Sequence, residues 1–66
     1  MNPPIPLPEL LTVREVAAKL RLSVPMVFKL IRSGDLEVCR FGKSLRVPVD
    51  DVIRFVAERR QRGGVR

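Results

Sequence analysis

The chain has 66 residues, enough for one domain around one modest core, so a separate catalytic domain is excluded by length. Thirteen Lys and Arg against seven Asp and Glu leave a formal net charge of +6, which points to a polyanionic partner. With no histidine and a single cysteine, Cys39, no internal disulfide can form, the usual zinc ligand sets cannot be assembled and the commonest general base is missing; no enzymatic role, cofactor or metal is expected.

Residues 1–8 hold Pro3, Pro4, Pro6 and Pro8, which remove backbone donors and favour extended conformations, so this segment reads as a flexible arm ahead of a domain at residues 9–62. No run approaches the ~20 apolar residues of a membrane span, and no signal peptide is evident, so the expected location is the cytoplasm. Thr12 followed by Glu15 has the spacing of a capping box and starts a helix at Val13. Val13, Val16, Ala17 and Leu20 form one apolar stripe, and the helix ends near Leu20.

Only Arg21 and Leu22 precede Ser23, an N-cap type, and Pro25 falls in the first turn of a second helix, where its missing N–H costs little. Val27, Leu30 and Ile31 make the inner face of this helix, and Ser33-Gly34 stops it. Two short helices joined so tightly pack as the crossed pair of a helix-turn-helix. Beyond Gly34 the pattern alternates, with Cys39 and Phe41 on one face and Val38 and Arg40 on the other, then Leu45 and Val47 flanking Arg46. Gly42-Lys43-Ser44 is expected to supply the turn of a hairpin whose polar faces bring Arg40, Lys43 and Arg46 together as a wing.

After Pro48 a last helix carries Val49, Val52, Ile53, Phe55 and Val56 as a broad apolar face, with Asp50 and Asp51 at the positive end of its dipole. Arg59, Arg60 and Arg62 suit its C-terminus, and residues 63–66 read as a flexible basic tail. The expected fold is mainly α with a small β-hairpin: a winged helix-turn-helix in the order helix, helix, hairpin wing, helix. Cys39 reads as a small buried hydrophobe with no redox role.

Pro25, Lys29 and Arg32 share the outer face of the second helix, with Met26 and Ser33 beside them. In helix-turn-helix docking the start of that helix reaches base edges, here Ser23, Val24, Pro25 and Met26. None of these four offers the bidentate donors that read guanine or adenine, so direct readout is expected to be weak and backbone charge dominant. The wing adds Arg40, Lys43 and Arg46 to the same surface for double-stranded DNA. Arg14, Lys19 and Arg21 are a second set, as compatible with solvent as with phosphate, and Arg59, Arg60 and Arg62 could meet DNA, a protein partner or neither.

The segments LTVREVAAKLRLS, VFKLIRSGDL and VCRFGKSLRVPVDDVIRFV, covering Leu11 to Val56, resemble the excisionase-like branch of the MerR-related winged helix-turn-helix proteins. Excisionases of phages, also called recombination directionality factors, have no catalytic activity; they bind adjacent sites, bend DNA and steer a tyrosine integrase toward excision. The resemblance therefore implies a helix in the major groove, a wing in the neighbouring minor groove or on the backbone, an integrase partner, cooperative head-to-tail association on DNA and a place on the host nucleoid. On matching positions it names Ser23 to Met26, Lys29, Arg32, Lys43, Ser44 and Arg46. The chain departs from that family at Arg21, where glycine is usual, and at Val24, Pro25 and Met26, where polar residues are usual; an apolar reading edge suits an architectural bender better than a discriminating repressor. A small winged helix-turn-helix transcriptional regulator is the alternative, and a basic module that binds an acidic protein is the alternative from another class.

Overall fold

A computed structural model describes residues 7–61. In chain order these form β1 (Leu10–Leu11), α1 (Val13–Leu20), α2 (Val24–Arg32), β2 (Cys39–Phe41), β3 (Ser44–Pro48) and α3 (Val49–Arg59). The architecture is a winged helix-turn-helix: three helices with a small antiparallel sheet. Met1 to Pro6 of the expected arm, Arg62 and the expected tail lie outside the described residues.

The capping box closes α1 as its spacing predicts: the Glu15 amide donates to Thr12 Oγ1 at 3.0 Å, and the Thr12 amide to Glu15 Oε1 at 2.8 Å. The apolar stripe puts Val13, Val16 and Ala17 in the core, with Leu20 half-buried at its margin. The two chain reversals that follow α1 and α2 are closed by the same bonds. Leu22 N–H reaches the Ala17 carbonyl at 2.9 Å and Arg21 N–H that of Ala18 at 3.3 Å; after α2, Asp35 N–H reaches Leu30 at 2.9 Å and Gly34 N–H reaches Ile31 at 3.1 Å. Both are Schellman closures, which need a left-handed residue. Gly34 takes φ 87° at no steric cost, whereas Arg21 takes φ 59° with a Cβ in the way.

β3 is the central strand, between β1 and β2. The sequence pattern carries no sign of β1, because two residues show no period and their strand character comes from pairing Leu10 with Pro48 and Leu11 with Val47. This strand positions α3: Val49 N–H donates to the Glu9 carbonyl at 2.9 Å, supplying an acceptor that the N-cap Pro48 does not offer. Leu11, Val13, Val16, Ala17, Val27, Leu36, Val47, Val52 and Phe55 form one core. Leu36, one of its largest fully buried side chains, sits in the α2–β2 connection, where no periodicity advertises it.

The expected apolar face of α3 is narrower than its sequence suggests. Val52 and Phe55 are buried and Val49 is half-buried, but Ile53 is 61% and Val56 40% exposed. The buried face is instead turned toward Asp51, on the opposite flank from Ile53 and Val56; Asp51 is buried and accepts from the Glu37 amide at 2.6 Å while pairing with Arg54. Asp51 thus ties the α2–β2 connection to α3, beyond its favourable place at the positive end of the helix. No helix among the described residues is long and apolar enough to cross a membrane.

Candidate nucleic-acid interface

Ser23 starts α2 by accepting the Met26 amide on its hydroxyl at 3.2 Å, and Pro25 sits in the first turn. Val27 is fully buried, which fixes the rotation of the helix. At ~100° per residue Pro25, Lys29 and Arg32 stand opposite Val27, and all three are exposed, with Ser33 at the helix end exposed beside them. The run Ser23 to Met26 does not form one edge. Val24 is half-buried toward the hairpin, and Met26, 41% exposed, faces α3.

A groove of about 460 Å³ separates α2 from the wing. It is lined by Thr12, Val13 and Arg14 of the α1 start, Val24 and Phe28 of α2, and Lys43, Ser44, Leu45 and Arg46 of the hairpin. Arg46 Nη1 donates to the Leu45 carbonyl at 2.8 Å, which holds its guanidinium at the β3 backbone. Among the described residues, Arg14, Lys29, Arg32, Lys43 and Arg46 have no carboxylate within ion-pair distance; the ion pairs present involve Arg54 and Arg59. Their charges are free for an external anion.

Arg40 does not join this group as the sequence suggests. A three-residue turn at Gly42-Lys43-Ser44 would set Arg40 opposite Arg46. The hairpin instead closes on two residues, with Phe41 opposite Ser44, Arg40 opposite Leu45 and Cys39 opposite Arg46. Gly42, at φ 63°, holds the first central position of this loop, where a type II′ turn requires glycine. One residue of slip turns a side chain to the other face, so Arg40 shares the face of Leu45 while Arg46 lies with the half-buried, unpaired Cys39.

On the other side of α2 lies a second groove of about 420 Å³, lined by Leu20, Leu22, Met26, Leu30, Phe55, Val56, Arg59 and Arg60. Its character is apolar, and its cations are partly engaged. Arg59 stacks over the Phe55 ring at 4.2 Å and pairs with Asp35 at 3.1 Å. The Ser33 hydroxyl, at 2.8 Å, and then Arg59 hold the Asp35 carboxyl below its ordinary value. Arg60 is exposed beside them; Lys19 and Arg21 are exposed on and after the last turn of α1, away from the wing groove.

Two features go beyond the sequence reading, which named Arg14 only in its second set of candidates and did not name Phe28. Arg14 is grouped with the wing cations by tertiary packing that no local pattern encodes. Phe28, 36% exposed, forms an apolar wall of the wing groove. The available signal is its spacing of four residues from Val24, which puts both on the flank of α2 nearest the hairpin.

Comparison with known proteins places this sequence in a family. The model of the helix-turn-helix domain family matches residues 10–60. An excisionase of Streptomyces ambofaciens is 41% identical over 51 residues, 77% of this chain and 82% of that protein. An uncharacterized protein of Mycobacterium tuberculosis is 42% identical over 52 residues, 79% of this chain and 46% of the relative. A second protein of that organism, provisionally named as DNA-binding, is 49% identical over 39 residues, 59% of this chain and 50% of the relative. The chain thus spans about half the length of these mycobacterial relatives. No solved structure matches at comparable stringency.

Proposed function

This chain belongs to the excisionase-type helix-turn-helix family, and from that premise we propose that it binds double-stranded DNA through α2 and the wing and serves as an accessory factor that directs a tyrosine integrase toward excision. The observation that carries the DNA reading is the set of unpaired cations on two neighbouring elements: Lys29 and Arg32 on the free face of α2, and Arg14, Lys43 and Arg46 around the groove that α2 lines through Val24 and Phe28. Four or five such charges neutralising phosphates give a salt dependence of log affinity with slope near −4.

In this reading Lys29 and Arg32 meet the major groove, with Ser23 and Pro25 at its edge, and the wing reaches the backbone or the next minor groove. Val24 and Met26 serve as flanks of the reading helix, and Arg40 stands on the face of the wing opposite Arg46, outside this contact set. With so little hydrogen-bonding capacity at the start of α2, preference among sequences comes from DNA deformability, which suits a protein that bends its site. The partner surface for an integrase, or for a neighbouring copy in a head-to-tail row, is the side of the molecule carrying Met26, Ile53, Val56 and Arg60, where apolar side chains stand exposed. The chain supplies no chemistry of its own.

The test is an excision assay with the cognate integrase and attachment-site DNA, paired with circular-permutation measurement of bending. Excision product that depends on this chain, together with a ladder of bent complexes, is the expected result. One discrete complex on unbent promoter DNA, with no effect on excision, favours a small transcriptional regulator instead.

A further inference from the structure

The two DNA-facing elements leave a space between them, and that space has a chemical character of its own. In B-DNA the major groove and the next minor groove are separated by one sugar–phosphate strand. An element in each groove therefore leaves that strand in the gap between them. Here the gap is the groove between α2 and the hairpin, and its lining divides into two kinds. Arg14, Lys43 and Arg46 bring positive charge from two separate parts of the chain, none of it neutralised by a carboxylate among the described residues. Phe28 and Val24 supply an apolar wall from α2. A nucleotide backbone has the matching halves: an anionic phosphodiester and a largely apolar deoxyribose face.

Resting on the DNA-binding reading above, we infer that this groove is a seat for a single backbone phosphate of one DNA strand, held by Arg14 together with Lys43 and Arg46, with the adjoining deoxyribose packed on Phe28. Arg14 and Phe28 thereby become contact residues, although neither lies on the outer face of α2 or at the tip of the wing. The seat sets the register of the protein on the duplex, because it grips one strand at one phosphate while the flanking elements enter the grooves on either side. Register set from the backbone is what a protein with few base-reading donors needs.

The experiment uses a duplex selected by the full chain from a randomised pool. Single methylphosphonates, which are neutral, replace the phosphates of that duplex one at a time, and each is titrated against wild type, Arg14→Gln, Lys43→Gln, Arg46→Gln and Phe28→Ala. Phe28→Leu, which keeps most of the apolar volume, guards against a simple packing loss in Phe28→Ala, and circular dichroism monitors folding of each variant. Arg14→Gln is expected to lower affinity by roughly 3- to 10-fold at low salt and to flatten the salt slope by up to about 0.9, the share of one phosphate. All three cation variants are expected to couple to the same methylphosphonate, so that its penalty shrinks to within about twofold in each. Phe28→Ala weakens binding with the salt slope unchanged, and Phe28→Leu recovers most of the loss.

Arg14→Gln with wild-type affinity and slope overturns the inference while DNA binding stands. So does coupling of the three cations to different, non-adjacent phosphates. Failure of the wild-type chain to retain any duplex in dilute salt is a different outcome: it removes the DNA-binding reading, and this seat with it.

Discussion

The two grooves that flank α2 are of similar size and opposite character. Toward the wing, Arg14, Lys43 and Arg46 surround a space of about 460 Å³ with no carboxylate in reach among the described residues. Toward α3, a space of about 420 Å³ is lined by Leu20, Leu22, Met26, Leu30, Phe55 and Val56, and Arg59 there is spent on Asp35 and on the Phe55 ring. A net charge of +6 says nothing about which side meets an anion. What separates the sides is whether each cation already has a partner: one side offers charge, the other uses it to finish the fold.

The comparison is broken most severely by removing what supports both sides. Leu36, 1% exposed, anchors the connection out of α2. Leu36→Ala is expected to cost ~2 to 5 kcal/mol, a large part of the stability of so small a domain. Urea denaturation should show it, and both grooves should be lost together. A variant as stable as wild type contradicts the single-core description.

A sharper contrast comes from one arginine on each side. Arg46→Ala should weaken binding to all duplexes by roughly 3- to 10-fold at low salt and leave the melting midpoint nearly unchanged. Arg59→Ala should do the reverse, lowering the midpoint by about 2 to 5 °C through loss of its aromatic stacking, with affinity changed less than twofold. Paired gel-shift and thermal-melt measurements read both, and an exchange of the two phenotypes would invert the assignment of the sides.

The helix ends allow a finer test. Arg21→Gly relieves a left-handed arginine and should stabilise by up to about 1 kcal/mol, whereas Gly34→Ala forces a Cβ into the same conformation and should cost about 1 to 2 kcal/mol. Open space surrounds the Gly34 position, so that cost is conformational and not steric crowding by neighbours. If Arg21 belongs to neither DNA seat nor fold, Arg21→Gly gains stability with no loss of affinity. A parallel loss of affinity would make Arg21 a DNA contact.

The smallest effect is one of pH. The Asp35 carboxyl is held below its ordinary value of 3.8, first by Ser33 and then by Arg59. A lowered carboxyl contributes stability that is fully present above that value and fades as pH falls through the folded-state value. Between pH 5 and 8 no dependence on Asp35 is expected. As pH falls below 3.8 and through the folded-state value, an Asp35→Asn variant and wild type should draw together in thermal melts.

The helices were legible because their signals are local. Thr12 and Glu15, Ser23 and Pro25, and Gly34 each act within one turn, and the stripe of Val13, Val16 and Ala17 states its own period. The hairpin was legible as an element but not in its register, since one turn residue more or fewer leaves the alternation intact and moves Arg40 to the other face. β1, the burial of Leu36 and the bond from Glu37 N–H to Asp51 depend on partners distant in sequence, and no local pattern announces them. The same holds for the candidate site: Lys29 and Arg32 can be read from one helix, while the grouping of Arg14 and Phe28 with the wing exists only after folding.

Amide chemical-shift mapping of the labelled chain during titration with a short duplex at low salt tests the central claim most directly. Shifts concentrated at Arg14, Phe28, Lys29, Arg32 and Lys43 to Arg46, with Ile53, Val56 and Arg59 unmoved, are the predicted result. Perturbation centred on the α3 side, with the wing groove silent, would contradict it.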